Sequence, residues 1–529
     1  MSVAKRTYVI TALCMIAAGV IYLALPLSKG NLYDEQTRLS EKTVLTENVL
    51  YRINQNSIET LYGTYPLDVN TKWISGGKEI SSGKARFLGQ NIHVVQSEEG
   101  MVQKVETVSD LTVPNKIRVV ISADLSGNRY IHSKVAISCD EEFWSIKDGE
   151  IQTYPPEAEI TSDALGKRTI FIPAKEGNTL TLITPNGTKE YLGTLEVTVE
   201  QGGYSVVNEV SLENYVKGVV PAEMPASYGE EAAKVQAVCA RSYVYSQWSG
   251  TEKFACWGAQ VDDSVKSQVY GGKIVHSVCE NGVEATWGEI LTYDDKPIST
   301  NYFSTSCGHT ANGNEVWGGK EVAYQIGVIQ CKEGDFGDLS TEEGFHTFIT
   351  DCNVQSFDSH SPWFRWSVEL SVEQIQKATE IYLRNSPRVK VVVGDSLVEE
   401  KISDLGVLSD IFVYERSKTG MALSLLLIGN EKSIVIEKPT EIRKFFGGVS
   451  VIMRNGELAA ARDLLPSAFI ALEKIKDSQD SLVSVVVRGG GYGHGVGMSQ
   501  NGVKGMVDEG YEYREILNHY FPNTELTIL

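Results

Sequence analysis

Apolar positions fall along this chain in three textures. Residues 7–27 (TYVITALCMIAAGVIYLALPL) are uncharged and follow Lys5 and Arg6. About 20 such residues cross a bilayer core of roughly 30 Å. The run ends Leu25-Pro26-Leu27 without a clear small-residue cleavage site. The pattern therefore predicts an uncleaved signal anchor over residues 1–28, a single transmembrane helix with the rest of the chain outside the cell membrane. Residues 29–64 are polar with scattered Leu and Val, which predicts a partly helical juxtamembrane stalk. From 65 to 205 short β-branched runs such as Ile117 to Ile121, Thr169 to Ile172 and Thr194 to Val199 are broken by Gly, Asn and Pro. That alternation predicts a β-rich accessory region of small modules, with Asn186-Gly187 as a hairpin turn.

Residues 206–529 read as one mixed domain. A short helix begins after Ser211 as N-cap. Ser227 with Glu230 three positions on has the form of a capping box, opening the Ala-rich helix EEAAKVQAVCARSYVYSQW. Strands return over 260–330, a helix is predicted near 372–384, and a strand from Leu482 to Arg488 leads through a glycine-dense loop into two C-terminal helices. The fold class expected is α+β: the transmembrane helix, the β-rich region, then a mixed α+β catalytic domain with a central cleft.

Composition narrows the function. The chain has 529 residues, 48 Lys plus Arg and 68 Asp plus Glu, for a formal net charge of −20. A length of this order suggests several domains. The acidic balance argues against nucleic acid as a partner, since such proteins present a basic face. Seven Cys lie outside the apolar segment, an odd number, with no CxxC spacing. A zinc ribbon has no support, and the pairing of the thiols stays open.

Three segments could carry chemistry. Glu223 sits between Pro221 and Pro225 among apolar neighbours. Desolvation there would favour the protonated acid, whereas a position just ahead of a helix N-terminus would favour the anion. Taken alone it reads equally as a capping or solvated Glu. Arg241 lies 18 residues on, near the end of the following helix, able to cap it or to reach back to a carboxylate. The run Gly489 to Gly497 holds six glycines in nine residues, followed by Met498-Ser499-Gln500. It has no GxGxxG, no Walker Lys and no GxSxG elbow, so its polar side chains suit hydrogen bonds to sugar hydroxyls or amides, unless the loop is simply a tight turn. Finally, Cys307 with His309 or His494 could be a thiol nucleophile and base, or part of a metal site with a third ligand. More simply, the segment Tyr302 to Thr310 lines a cleft.

Taken together, Ser211 to Gln247, Ser267 to Tyr270, Asn301 to Gly319, Ser361 to Trp366 and Val487 to Leu526 resemble, in order, the motifs of the stage II sporulation protein D / LytB family of cell-wall proteins. The resemblance covers roughly 190–529, with weaker likeness from about 115. It implies peptidoglycan glycan strands as substrate, with stem peptides removed. It also implies a lytic transglycosylase acting in engulfment during sporulation, or else a non-catalytic enhancer of a cell-wall amidase. The family's catalytic Glu falls on Glu223 and its helix Arg on Arg241. Substrate-binding groups fall on Tyr302, His494, Ser499 and Gln500. Some relatives hold zinc in the stretch matching 256–268. Here that stretch has one Cys and no His, so no metal and no cofactor is expected. A cell-wall amidase and other engulfment proteins are the expected partners. A thiol peptidase is the remaining rival.

Overall fold

A computed structural model of the chain describes residues 47–528, apart from residues 61, 108–109, 112–113, 125–126, 148–149, 251 and 352. The expected anchor, 1–28, and the first part of the expected stalk lie outside the described residues. Among the described residues no helix is long and apolar enough to cross a membrane. The longest, Glu230–Gly250, carries Glu230, Glu231, Lys234 and Arg241, too many charges for a bilayer core. The expected fold class and the single-pass membrane location are corrected accordingly. The described chain is a mixed α+β structure of seven sheets, with no membrane-crossing helix in it. From Glu47 on, the stretch read as a stalk forms strands, because Leu50, Tyr51, Ile53 and Ile58 supply a buried apolar set.

The chain divides into two compact units. The first takes residues 47–223 and 240–283; the second takes 224–239 and 284–528. The long helix Glu230–Gly250 therefore contributes its first part to one unit and its remainder to the other.

The first unit holds three sheets. A six-stranded sheet spans Glu47–Ile53 to Val102–Thr107 and packs Trp73 edge-on against Phe87, ring centroids 5.1 Å apart. A seven-stranded sheet has at its centre the long antiparallel pair Thr194–Glu200 and Gly203–Ser211. A four-stranded sheet contains the hairpin Leu180–Thr184 to Gly187–Tyr191, which turns at Asn186-Gly187. The strands expected from the β-branched runs form in place, as Lys116–Val120, Arg168–Pro173 and Thr194–Glu200.

Buried charge links two of these sheets. Arg118 donates to Glu196 at 2.5 Å and to Glu209 at 2.8 Å. Arg168 pairs with Glu196 at 2.9 Å and with Glu59 at 2.8 Å, and Arg52 with Glu200 at 2.6 Å. Arg52 and Glu59 belong to the six-stranded sheet, the others to the seven-stranded one. Burial alone would raise the Glu196 carboxyl; Arg118, Arg168 and Arg52 outweigh it and hold the group below its ordinary range.

The second unit builds its main core between two five-stranded antiparallel sheets and the helix Val372–Asn385. That helix opens on a capping box of Ser371 and Gln374. A separate core of Met224, Val235, Cys239, Met498, Val503, Ile516 and Tyr520 joins the first part of the long helix to the C-terminal helices Gln500–Asp508 and Tyr513–Tyr520.

Glu196→Gln strips one charge from a buried pair and leaves Arg118 undercompensated. A loss of about 3–5 kcal/mol is expected, read as an earlier urea transition of the chain. A transition at the wild-type midpoint would show that the network contributes nothing.

Candidate functional site

Glu223 is the last residue of the helix Leu212–Glu223. The sequence suggested a place ahead of a helix N-terminus; instead the carboxyl lies at the carbonyl-bearing end of a helix. The difference arises because the chain stays helical through Pro221, whose ring removes one backbone donor without preventing two more helical residues. The long helix starts later than the capping-box pattern implied. Ala226–Tyr228 form a 3-10 turn, Gly229 has φ 95° and its carbonyl accepts from Ala233 N–H at 3.1 Å. Gly229, not Ser227, is the residue from which the helix starts.

One oxygen of Glu223 accepts the backbone N–H of Val269 at 2.6 Å. The segment after Gln268 is brought there by close packing on the helix. Tyr215 donates its hydroxyl to Gln268 at 3.1 Å, and Gly271 N–H bonds the Gly218 carbonyl at 3.2 Å. Gly218 makes that approach feasible: a Cβ there would lie 2.3 Å from the Gly272 carbonyl oxygen and 2.4 Å from the Tyr270 ring.

Arg241 is fully buried. Its Nε and Nη2 donate to the two oxygens of Glu213 at 2.7 and 2.8 Å. Glu213 stands in the first turn of the helix that ends in Glu223. Glu223 thus ends the helix whose start Arg241, from the long helix, grips, and the two side chains stand at opposite ends of it. Sequence reading missed both Glu213 and the Val269 amide. Glu213 lay in a quoted motif with nothing to single it out, and a backbone N–H has no residue signature.

Tyr302, His494, Ser499 and Gln500 lie in the second unit. Tyr302–Phe303 pairs in parallel with Met498–Ser499, so Tyr302 and Ser499 sit on adjacent short strands. The connection is tight: Gly497 has φ 75°, and a Cβ there would meet the Asn301 carbonyl oxygen at 2.2 Å. Ser499 is not open to a ligand. It is 0% exposed, donates to Asp358, and accepts from Ser306 N–H at 3.1 Å and Gly502 N–H at 3.2 Å as N-cap of Gln500–Asp508. Asp358 also accepts from the Ser306 backbone at 2.8 Å and hydroxyl at 2.7 Å. Burial raises the Asp358 carboxyl against the pull of these hydrogen bonds. Gln500 is the first residue of the helix that Ser499 caps, and is partly exposed.

His494 is partly buried between Phe303 and Trp317, ring centroids 5.6 and 5.3 Å away. Its Nδ1 accepts Val496 N–H at 3.1 Å, which leaves the proton of the neutral ring on Nε2. Desolvation, then the Arg443 charge, bring its pKa down to about 4 against a hydrogen bond with the Tyr302 backbone. The imidazole is therefore neutral at physiological pH.

The thiol reading fares poorly on geometry. Cys307 is fully buried, and burial pushes its pKa up to about 12, so little thiolate exists at neutral pH. The six described cysteines outside the N-terminal segment are all free thiols.

Residues 200–293 match the family model for stage II sporulation protein, and residues 311–497 match that for a domain of unknown function (DUF8618). Glu223, Arg241 and Val269 fall in the first; Asp358, Arg443 and His494 fall in the second. Residues 200–293 are thus similar to the stage II sporulation protein D family. The chain is 31% identical to the amidase enhancer of Bacillus subtilis over 59% of this chain, and spans 40% of that relative's length. It is 26% identical to stage II sporulation protein D of Bacillus subtilis over 61% of this chain and 75–76% of the lengths of that protein and its Bacillus amyloliquefaciens counterpart.

Gly218→Ala forces a Cβ into backbone. It should destabilise the chain by about 1–3 kcal/mol and lower hydrogen-exchange protection of the Val269 amide; unchanged protection would show that the helix yields without moving Glu223. Acid sensitivity follows from His494 and His519, both lowered to about 4 by burial. Unfolded imidazoles titrate near 6.5, so the unfolded chain binds more protons between those values. Stability should be full above about pH 6.5 and fall as pH drops toward 4. The double variant His494→Gln, His519→Gln should flatten that slope in thermal melts across the window; an unaltered slope would assign it to His132 and His309, which burial also lowers.

Proposed function

We propose that this chain is a peptidoglycan lytic transglycosylase, cleaving the bond from MurNAc to GlcNAc in glycan strands with Glu223 as the sole general acid and base. The observation that carries this reading is the hold on Glu223: a half-buried carboxyl at a helix end, one oxygen fixed at 2.6 Å by a backbone N–H. A group so oriented can hand a proton to one stated atom and take it back.

The reaction balances with one carboxyl. Glu223 gives its proton to the glycosidic oxygen as the bond from C1 of the muramic residue breaks, and an oxocarbenium-like centre develops. The 6-hydroxyl of the same sugar then bonds to C1, and its proton returns to Glu223. The products are a GlcNAc end and a 1,6-anhydro end, with no water consumed. Arg241 is a positioning residue in this scheme, acting through Glu213 on the helix that carries the acid. His494, a neutral ring with aromatic neighbours, and Tyr302 and Gln500 of the same unit are proposed to contact the glycan. Ser499 is proposed to order that loop through Asp358 rather than to touch sugar.

A second reading has its own support in the likeness to an amidase enhancer: the chain would bind glycan without turning it over and stimulate a cell-wall amidase. One comparison separates the two. Purified protein incubated with peptide-free and intact peptidoglycan should release anhydro-ended products detectable by mass spectrometry. Glu223→Gln should cut their rate by about 10²–10⁴-fold. Glycan binding with no product from wild type, and amidase stimulation that persists in Glu223→Gln, would replace the first reading with the second.

A further inference from the structure

One cavity of the first unit is not used by the scheme above. It encloses about 220 Å³ between three pieces of chain: residues 121–124 after the strand Lys116–Val120, the hairpin Leu180–Thr184 to Gly187–Tyr191, and the segment 263–271. The pieces are fastened to one another. Asn186 at the hairpin turn donates to the Ala123 carbonyl at 2.6 Å, Ser122 N–H to Asp263 at 2.8 Å, and Lys273 N–H to the Glu190 carbonyl at 2.7 Å. Gly272 has φ 75° and lets the last contact form, since a Cβ there would lie 2.3 Å from the Glu190 carbonyl oxygen. Of the lining residues, Lys189 and Val265 are exposed whereas Leu182, Tyr191 and Tyr270 are buried, so the cavity runs from the surface toward the core.

The lining states what the cavity can hold. Tyr191 is 0% exposed, and its hydroxyl has no hydrogen-bond partner among the described residues. Buried polar groups are ordinarily satisfied, so this phenol is an unused donor beside a cavity. Burial, then the Asp263 charge, push it well above its ordinary value, and it keeps its proton. Asp263, also buried, retains acceptor capacity beyond its bond from Ser122, because a carboxylate has about four lone-pair sites. An anion would face Asp263 and Asp124, and an ammonium ion has no lone pair to offer Tyr191. Leu182, Val269 and Tyr270 add an apolar side. A neutral group that donates once, accepts once and ends in a methyl meets each of these demands, and an acetamido group is such a group. Size agrees: 220 Å³ falls below the roughly 300–1,000 Å³ of sites that enclose a whole small ligand, so a substituent enters and the rest of the ligand stays outside.

We propose that this cavity takes the acetamido group of a hexosamine, with its N–H toward Asp263, its carbonyl toward the Tyr191 hydroxyl and its methyl toward Leu182 and Tyr270. The proposal rests on glycan as the ligand, which both readings above share, and names the group by which the first unit recognises it. One residue belongs to cavity and acid alike: Val269 lines the first, and its N–H holds Glu223 at 2.6 Å. A sugar seated by its acetamido group therefore sits within one residue of the acid, and the seat fixes the register of the strand against Glu223.

The test is calorimetric titration of the full chain with two neutral tetrasaccharides: chitotetraose, which carries acetamido groups, and cellotetraose, which has hydroxyls in their place. Wild type should favour chitotetraose by about tenfold. Tyr191→Phe deletes only the hydroxyl and should lower that preference by about two- to tenfold, with cellotetraose bound as before. Because the hydroxyl has no partner to lose, this variant should melt at the wild-type temperature, which separates lost recognition from lost folding. Asp263→Ala should lower the preference too, and Asp263→Asn, which keeps an acceptor oxygen, should restore part of it. Equal binding of the two sugars by wild type overturns the subsite alone. So does a preference that survives in Tyr191→Phe and Asp263→Ala, since the cavity would then hold water only. Failure of both sugars to bind overturns the glycan reading and the subsite with it.

Discussion

The chemistry proposed here depends on one buried ion pair. Arg241 is fully buried, and its fork closes on both oxygens of Glu213. Removing two charges from water costs several kcal/mol per ion unless geometry and hydrogen bonds compensate, and a bidentate pair is the arrangement that does so. The pair joins the long helix to the first turn of Leu212–Glu223. Ten residues of ideal helix span about 15 Å, so Glu213 and Glu223 stand about that far apart along one rigid rod. Whatever fixes the first fixes the second. Arg241 holds the start of this helix, and the Gly218 contact with Tyr270 and Gly272 sets how closely the helix lies on the segment that presents the Val269 amide to Glu223.

The second unit solves a similar problem with a buried carboxyl instead of an ion pair. Asp358 collects the hydroxyls of Ser499 and Ser306 and the Ser306 amide. Three stretches far apart in sequence meet there: the 302–310 segment, the 358–366 segment and the start of the C-terminal helix. With no cation in direct hydrogen bond to it among the described residues, the carboxyl is raised by burial, and serine donors rather than charge keep it satisfied. That arrangement orders the glycine loop without filling it with side chains. The loop's glycines let its backbone pass close to Asn301 and Phe303, and its side chains Tyr492 and His494 are partly exposed.

What could be read from the residues divides along physical lines. β-Branched runs became strands because each needs only local alternation and a neighbour. The glycine loop was legible because positive φ and close approach demand glycine. Glu223 stood out through its motif, yet its setting was misjudged: Pro221 suggested a break, whereas the helix continues two residues past it. Ser499 was read as a ligand group because a hydroxyl after a glycine loop suits sugar, but its partner Asp358 lies 141 residues away, and local pattern carries no such information. Arg443 and Trp317 escaped notice for the same reason, since only tertiary packing brings their helices together. The apolar run at the N-terminus was read from length and charge alone, and nothing among the described residues takes up the part it was assigned.

The charge of −20 gains meaning from where the cations go. Arg118, Arg168 and Arg52 are consumed in the network around Glu196, and Arg241 is consumed by Glu213. These pairs stabilise or position, and none is available to a ligand. An acidic surface repels an anionic polymer at long range, but salt screens that repulsion within about 8–10 Å under physiological conditions. Recognition is then decided at contact, where a cation half out of water interacts more strongly than one fully solvated. Arg443 is partly buried, its charge acts on Tyr492 and His494, and its helix packs against the one that carries Trp317. Under the glycan reading proposed above, binding by this acidic chain would therefore rest on local contacts rather than on its net charge.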